Sequence, residues 1–243
     1  MFRPTCKPSP VTPALPNYPA VVYTRDNVST ITSVTAFARD ERRRLADLLL
    51  QVGPDQPTLC AGWTTRDLAA HLVVRERRPD AAAGVILPPL RGHGERIRRA
   101  TAARPFPEIV ADVRNPPWWS PVSNPLLDEL TNTVEFFIHH EDVRRGADGW
   151  QPRDLAEDHA RAIWRAVQFT GKMALRRVRM PVRVREANGF GEFTVGGESA
   201  QLMVVAPAGE LALFLSGRQR AARAEVEGPV EQAERLRAAN LGV

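Results

Sequence analysis

The 243-residue sequence predicts an α+β protein, with a helical bundle over residues 33–178 followed by a small α+β unit over residues 179–243. Three observations carry that prediction. Apolar residues recur at helical spacing from Thr35 to Val178. After Met180 the period changes to two, as in strands with one buried face. Asn188-Gly189 then sits between two alternating runs, where a tight hairpin turn needs it.

The elements follow in order. Residues 1–32 hold six prolines in the first twenty positions and no apolar period, so they read as a disordered extension. "AFARDERRRLADLLLQVG" spaces Phe37, Leu45, Leu48 and Leu49 on one helical face and stops at Gly53. "GWTTRDLAAHLVVRERR" is a second helix, with Thr64 or Thr65 as N-cap and Asp67 in the first turn, where a negative charge suits the helix dipole. "RGHGERIRRATAA" and "PFPEIVADVRN" give two shorter helices. A proline-rich connection at 116–125 follows, in which Trp118-Trp119 reads as a lid packed on the bundle end. "PLLDELTNTVEFFIHHEDVRRG" is a long helix from about Leu126 to Arg145. In "PRDLAEDHARAIWRAVQFTGKMALRRV" Pro152 suits a helix start. Strands are expected in "PVRVREANGFGEFTVGG", "QLMVVAP" and "AEVEG", and helices in "GELALFLSGR" and "PVEQAERLRAAN".

Composition narrows the function. The net charge is +5 and the pI about 10.0, but 31 of the 33 basic residues are arginine, a bias that reads as genomic background. There is no aromatic-interleaved basic stripe, so no nucleic-acid partner is expected. Nor is a membrane expected, since no run reaches the roughly 18 apolar residues of a spanning helix. The two cysteines, Cys6 and Cys60, make no CxxC pair, which fits a reducing cytoplasm. Cys60 reads as a small buried hydrophobe, and His93 and His159 as exposed side chains without a role.

The stretch "LTNTVEFFIHHEDVRR" raises the central question, because a carboxylate and two histidines lie within and beside an apolar run. Glu135 and His139 are four residues apart and share a helix face, whereas His140 points about 100° away. His71, in the apolar body of the second helix, offers a third donor. His71, Glu135 and His139 together would hold a divalent ion and leave one or two positions for water or substrate. Other readings stand beside this one. ExxxH alone is common on helices, a single buried histidine is often only hydrogen-bonded, and Glu141 and Asp142 fit a solvated face.

"TLCAGWTTRDLAAHLVVRERRPDAAAG" and "NTVEFFIHHEDVRR" resemble, in order and spacing, the two motifs of the actinobacterial mycothiol-dependent maleylpyruvate isomerase family. That family belongs to the DinB/YfiT-like four-helix metalloenzymes, and the resemblance covers about residues 33–178. It implies that the helical unit is a DinB-like bundle and that His71, Glu135 and His139 are ligands, usually to Zn2+. It also implies mycothiol, the actinobacterial counterpart of glutathione, as thiol cosubstrate of an isomerase or S-transferase acting on a small electrophile. A metal-bound thiol would ionise near neutral pH and attack that electrophile. Asp67, one turn before His71, and Asp142, three residues after His139, are placed as acceptors for ligand N–H groups, with helix capping and a surface ion pair as their other readings. The ending resembles sterol-carrier-protein-like α+β modules, but no arginine there, Arg183 and Arg218 included, can be matched to the isomerases' substrate-binding residues. A monomer or homodimer is expected. The reading from another class is a non-enzymatic metal- or ligand-binding protein.

Overall fold

The structure, a computed structural model, describes residues 34–81, 91–119, 125–197 and 199–242. The expected extension at 1–32 lies outside these residues. The helices are α1 (Val34–Val52), α2 (Thr65–Arg77), α3 (Arg91–Ala102), α4 (Phe106–Arg114), α5 (Pro125–Arg144), α6 (Glu157–Val178), α7 (Ala208–Leu215) and α8 (Val230–Ala238). The strands are β1 (Val182–Glu186), β2 (Glu192–Val195), β3 (Leu202–Ala206) and β4 (Glu225–Glu227), so the protein is a mixed α+β fold.

The strands form one sheet in the order β2-β1-β3-β4. The β1–β2 hairpin is antiparallel, with Val182 opposite Val195, and Gly189 takes the positive φ of +86° expected after Asn188. β1 and β3 are parallel, with Val182 opposite Leu202. Buried Glu186 ties this corner together. Its carboxylate accepts the N–H groups of Asn188 and Phe190 in the turn and of Ala208 at the start of α7. A negative charge at that helix N-terminus is favourable.

Apolar side chains separate into two cores that meet on α5. One gathers Leu45 and Leu49 of α1, Leu68 and Leu72 of α2, and Ile109 and Val113 of α4 around Phe136. The other gathers Ile163 and Leu175 of α6, Val182, Val184 and Val204 of the sheet, and Leu211 and Phe214 of α7 around Phe137. The apolar run 134–138 is therefore explained by a helix buried on two sides. The buried side chains of α6 face the sheet core, although its helical period alone grouped it with the preceding helices.

Two local expectations fail. Pro152 does not open α6, which begins at Glu157 after Ala156 in extended conformation. Residues 151–156 stay non-helical while Arg153 turns inward to the buried carboxylates Glu41 and Glu141. Trp118 and Trp119 do not form a packed lid, being 93% and 49% exposed. Pro116 and Pro117 have no N–H with which to continue α4, and the two rings stay on the surface.

Candidate metal centre

α2 starts where it does because Thr64 and Asp67 form a reciprocal capping box, each side chain satisfying the other's backbone N–H. That start, and the packing of Leu68 and Leu72 in the first core, fixes the direction of His71. Across from it, α5 presents Glu135 and His139. The Glu135 Oε1 atom lies 3.3 Å from His139 Nε2 and 3.8 Å from His71 Nε2. One donor atom from each of the three residues falls within 4.8 Å of the others. Four ligands at about 2.0–2.1 Å around a tetrahedral zinc stand roughly 3.3 Å apart, so this donor set fits a divalent ion after small shifts. His71 and Glu135 are 28% and 31% exposed and His139 only 8%, so the seat opens to solvent on the His71–Glu135 side.

His139 is held from behind. Its Nδ1 lies 2.9 Å from Asp142 Oδ2, which leaves Nε2 for the ligand side. Arg218, in the segment after α7, clamps the same carboxylate with Nε to Oδ1 at 2.9 Å and Nη2 to Oδ2 at 2.7 Å. The Cys60 thiol donates to Oδ2 at 3.2 Å and accepts from Arg218 Nη2 at 3.4 Å. Burial pushes the Asp142 carboxyl up, but His139 and Arg218 outweigh it and hold it at about 2. Burial likewise opposes charge on His139, yet Asp142, Cys60 and Glu135 keep its pKa well above the ordinary 6.5. For His71 burial dominates and the pKa is lowered, so that ring is neutral at pH 7. Glu135, which burial would raise, is drawn well below its usual value by His139, His71 and the Arg75 charge.

Cys60, His139 and Asp142 form a second group of closely spaced donors. Arg218 already supplies the cation there, bonded to both Asp142 oxygens and to the sulfur. The thiol shares one carboxylate oxygen of Asp142 with His139. The sulfur anchors the back of the site.

The remaining expected residues sort clearly. Asp67 makes no bond to His71; it caps α2 and pairs with Arg98 at 2.6 Å. The reason is its third helical position, from which a short side chain folds back onto the cap. Its path to the seat is indirect, since Arg98 covers Trp63 at 5.0 Å and the Trp63 ring lies 5.2 Å from His71. His140 points away from the seat, as helix geometry requires, and bonds Glu41 at 2.8 Å. Glu141 and Asp142 are fully buried rather than solvated. His159 is not exposed but 13% accessible, stacked on Phe37 at 4.8 Å. His93 is 40% exposed and pairs with Asp80.

Three contributors escaped the sequence reading: Cys60, Arg218 and Arg75, the last with Nε 3.4 Å from Glu135 Oε1. Arg75 was findable, being four residues after His71 on the same face. Cys60 and Arg218 come from loops 158 residues apart, and no local pattern connects them. Compared with protein-family models, curated proteins and solved structures, the chain finds no match, and the centre rests on its own geometry.

Proposed function

We propose that the protein binds one divalent metal, zinc by its donor set, through His71, Glu135 and His139, and uses it as a thiol-dependent isomerase or S-transferase on a small electrophile. The observation behind this reading is the convergence of two imidazoles and one carboxylate from α2 and α5, with the far nitrogen of His139 held by Asp142 and one side open to solvent. A zinc ion in that seat would lower the pKa of a bound thiol and supply thiolate near neutral pH. The chain's own groups prepare for it. Once His139 has given up its proton, two neutral imidazoles and one anionic oxygen would leave a dication with a net positive charge. Asp142 fixes which nitrogen of His139 faces inward. Trp63 walls the site beside His71. The motif resemblance makes mycothiol the expected thiol, and α1–α6 are read as a DinB-like helical unit on the same basis. No helix among the described residues is long and apolar enough to cross a membrane.

A metal- or ligand-binding role without catalysis is the second reading. It is favoured by the fact that Asp67 and Asp142, the carboxylates flanking the ligands in sequence, are both engaged by arginines and so are poorly placed to move protons. Elemental analysis of purified protein tests the metal, with about one zinc per chain expected and loss in His71→Ala and His139→Ala. Full occupancy in both variants would refute the site. The two readings separate on cobalt-substituted protein. Added thiol should change its spectrum, and a transfer screen with and without mycothiol should then show turnover; an unchanged spectrum leaves only binding.

A further inference from the structure

One carboxylate in the seat, Glu135, faces an arginine as well as the two histidines. Arg75 stands one turn beyond His71 on α2, with its Nε 3.4 Å from Glu135 Oε1. Its Nη2 donates to Asn132 Oδ1 at 2.7 Å, which fixes the guanidinium plane. Its Nη1 is buried with no hydrogen-bond partner among the described residues. The side chain is 17% exposed, so water screens its charge only in part. Arg75 thus makes one good hydrogen bond, to Asn132, and acts on Glu135 mainly through its charge. Other buried or half-buried arginines among the described residues bond carboxylates at short range: Arg42 with Glu76, Arg145 with Glu210, Arg218 with Asp142.

We propose that Arg75 is a standing counter-charge of the metal seat: it adds to the pairing of Glu135 with His139 when no ion is present and weakens the hold on a divalent ion when one is. This rests on the metal reading of His71, Glu135 and His139. The physical ground is repulsion. A dication bonded to Glu135 stands within a few ångströms of a guanidinium in a partly desolvated cleft, where like charges repel appreciably. The metal-free protein gains in return, because Arg75 adds a fixed positive charge beside a partly buried carboxylate that otherwise has only the histidines for partners. The device makes the seat exchangeable, as suits a protein that loads its metal from a buffered pool rather than folding around it.

The inference has a sign that damage to the site cannot imitate. Substitutions that distort a metal centre weaken it, whereas removing this charge should tighten it. The test is zinc affinity of the full chain by chelator competition, for wild type and for Arg75→Met, Arg75→Gln and Arg75→Lys, with circular dichroism to confirm folding. Met and Gln variants are expected to bind zinc about tenfold more tightly, and Lys, which keeps the charge, within about twofold of wild type. The metal-free Met variant should also melt below metal-free wild type. Gln, which can still reach Asn132, serves if Met fails to fold. Unchanged or weaker binding in the folded Met or Gln variant overturns the inference, as does equal tightening by Lys. If wild type binds zinc and loses it in His71→Ala while the Arg75 variants bind no more tightly, only the role of Arg75 falls. If wild type binds no divalent metal, the metal reading falls and takes this inference with it.

Discussion

Asp142 accepts from His139, Arg218 and Cys60 at once, and its backbone carbonyl accepts Leu59 N–H at 3.0 Å, so one side chain joins α5, the 53–64 loop and the C-terminal segment. Asp142→Asn keeps the shape but removes the charge that Arg218 and His139 share. Metal affinity should drop about 10- to 100-fold, the usual cost of losing the partner of a ligating histidine, as read by chelator competition. The raised pKa of His139 adds a pH dependence. Below that pKa the ion must displace a proton, so zinc affinity should fall about tenfold per unit as pH decreases, and loading near neutrality should release a proton measurable in weakly buffered solution. Glu135→Gln and His140→Gln separate the two faces of α5. The first removes the anionic donor and should weaken the metal; the second breaks the contacts with Glu41 and Arg153 and should lower stability with little change in the metal. The sequence put Glu135 and His139 on one face because four-residue spacing is a local signal, whereas no spacing joins them to His71 on another helix. It showed Asp67 ambiguously, since the same position serves capping and ligand support, and capping prevails because Thr64 is adjacent. Arg218 and Cys60 depend on tertiary contacts between loops, which periodicity does not encode.

Elements were more legible than their ends. The 3.6-residue period located α1 to α6 and the change to two located the sheet, because burial of one face imposes each period. Boundaries moved where a tertiary contact outweighed a local preference, as at Pro152, where the ion pairs of Arg153 hold the chain non-helical until Glu157. The end of α5 shows how tightly elements fit. A Cβ on Gly146 would overlap the carbonyl of Pro57, so glycine is required for the 53–64 loop to lie against α5. That contact sits beside the pairing of Cys60 with Asp142. Gly146→Ala should therefore cost about 1–3 kcal/mol in denaturant unfolding, the range for overpacking a fitted contact, and should also weaken zinc binding by displacing Cys60 from the back of the site. A normal melting curve with unchanged metal affinity would show that the loop gives way freely.

Across the whole molecule, a buried ionic lattice joins what the two apolar cores leave separate. Glu41 of α1 pairs with Arg153 before α6, Arg153 with Glu141 of α5, and Glu141 with Arg145, which reaches Glu210 of α7. The lattice makes stability sensitive to acid in two stages. Burial lowers the pKa of His140 and of His159 from 6.5, and the nearby carboxylates do not reverse this. Both rings are neutral in the fold, so below about pH 6.5 the unfolded chain binds more protons and stability falls as pH decreases. His71 shifts in the same sense, whereas the raised pKa of His139 adds stability as pH falls toward 6.5 and nothing further below it, so the losses at the other three rings prevail there. In the second stage Asp142 and Glu135 take part beside the lattice carboxylate Glu41. Burial alone would raise it, yet His140 and Arg153 hold it far below its ordinary 4.5, so its contribution is complete above that value and is lost as pH falls beneath it. Unfolding free energy of the metal-free protein should therefore decline gently from about pH 6 to 5 and steeply from 5 to 3. Glu41→Gln should remove about 3–5 kcal/mol at pH 7, because Arg153 is left in the interior with one carboxylate fewer, and should flatten the lower stage. Denaturant titrations across that range check both stages. Equal slopes below pH 5 for wild type and Glu41→Gln would mean that some other carboxylate governs the acid limb and that the lattice is not what joins the two cores.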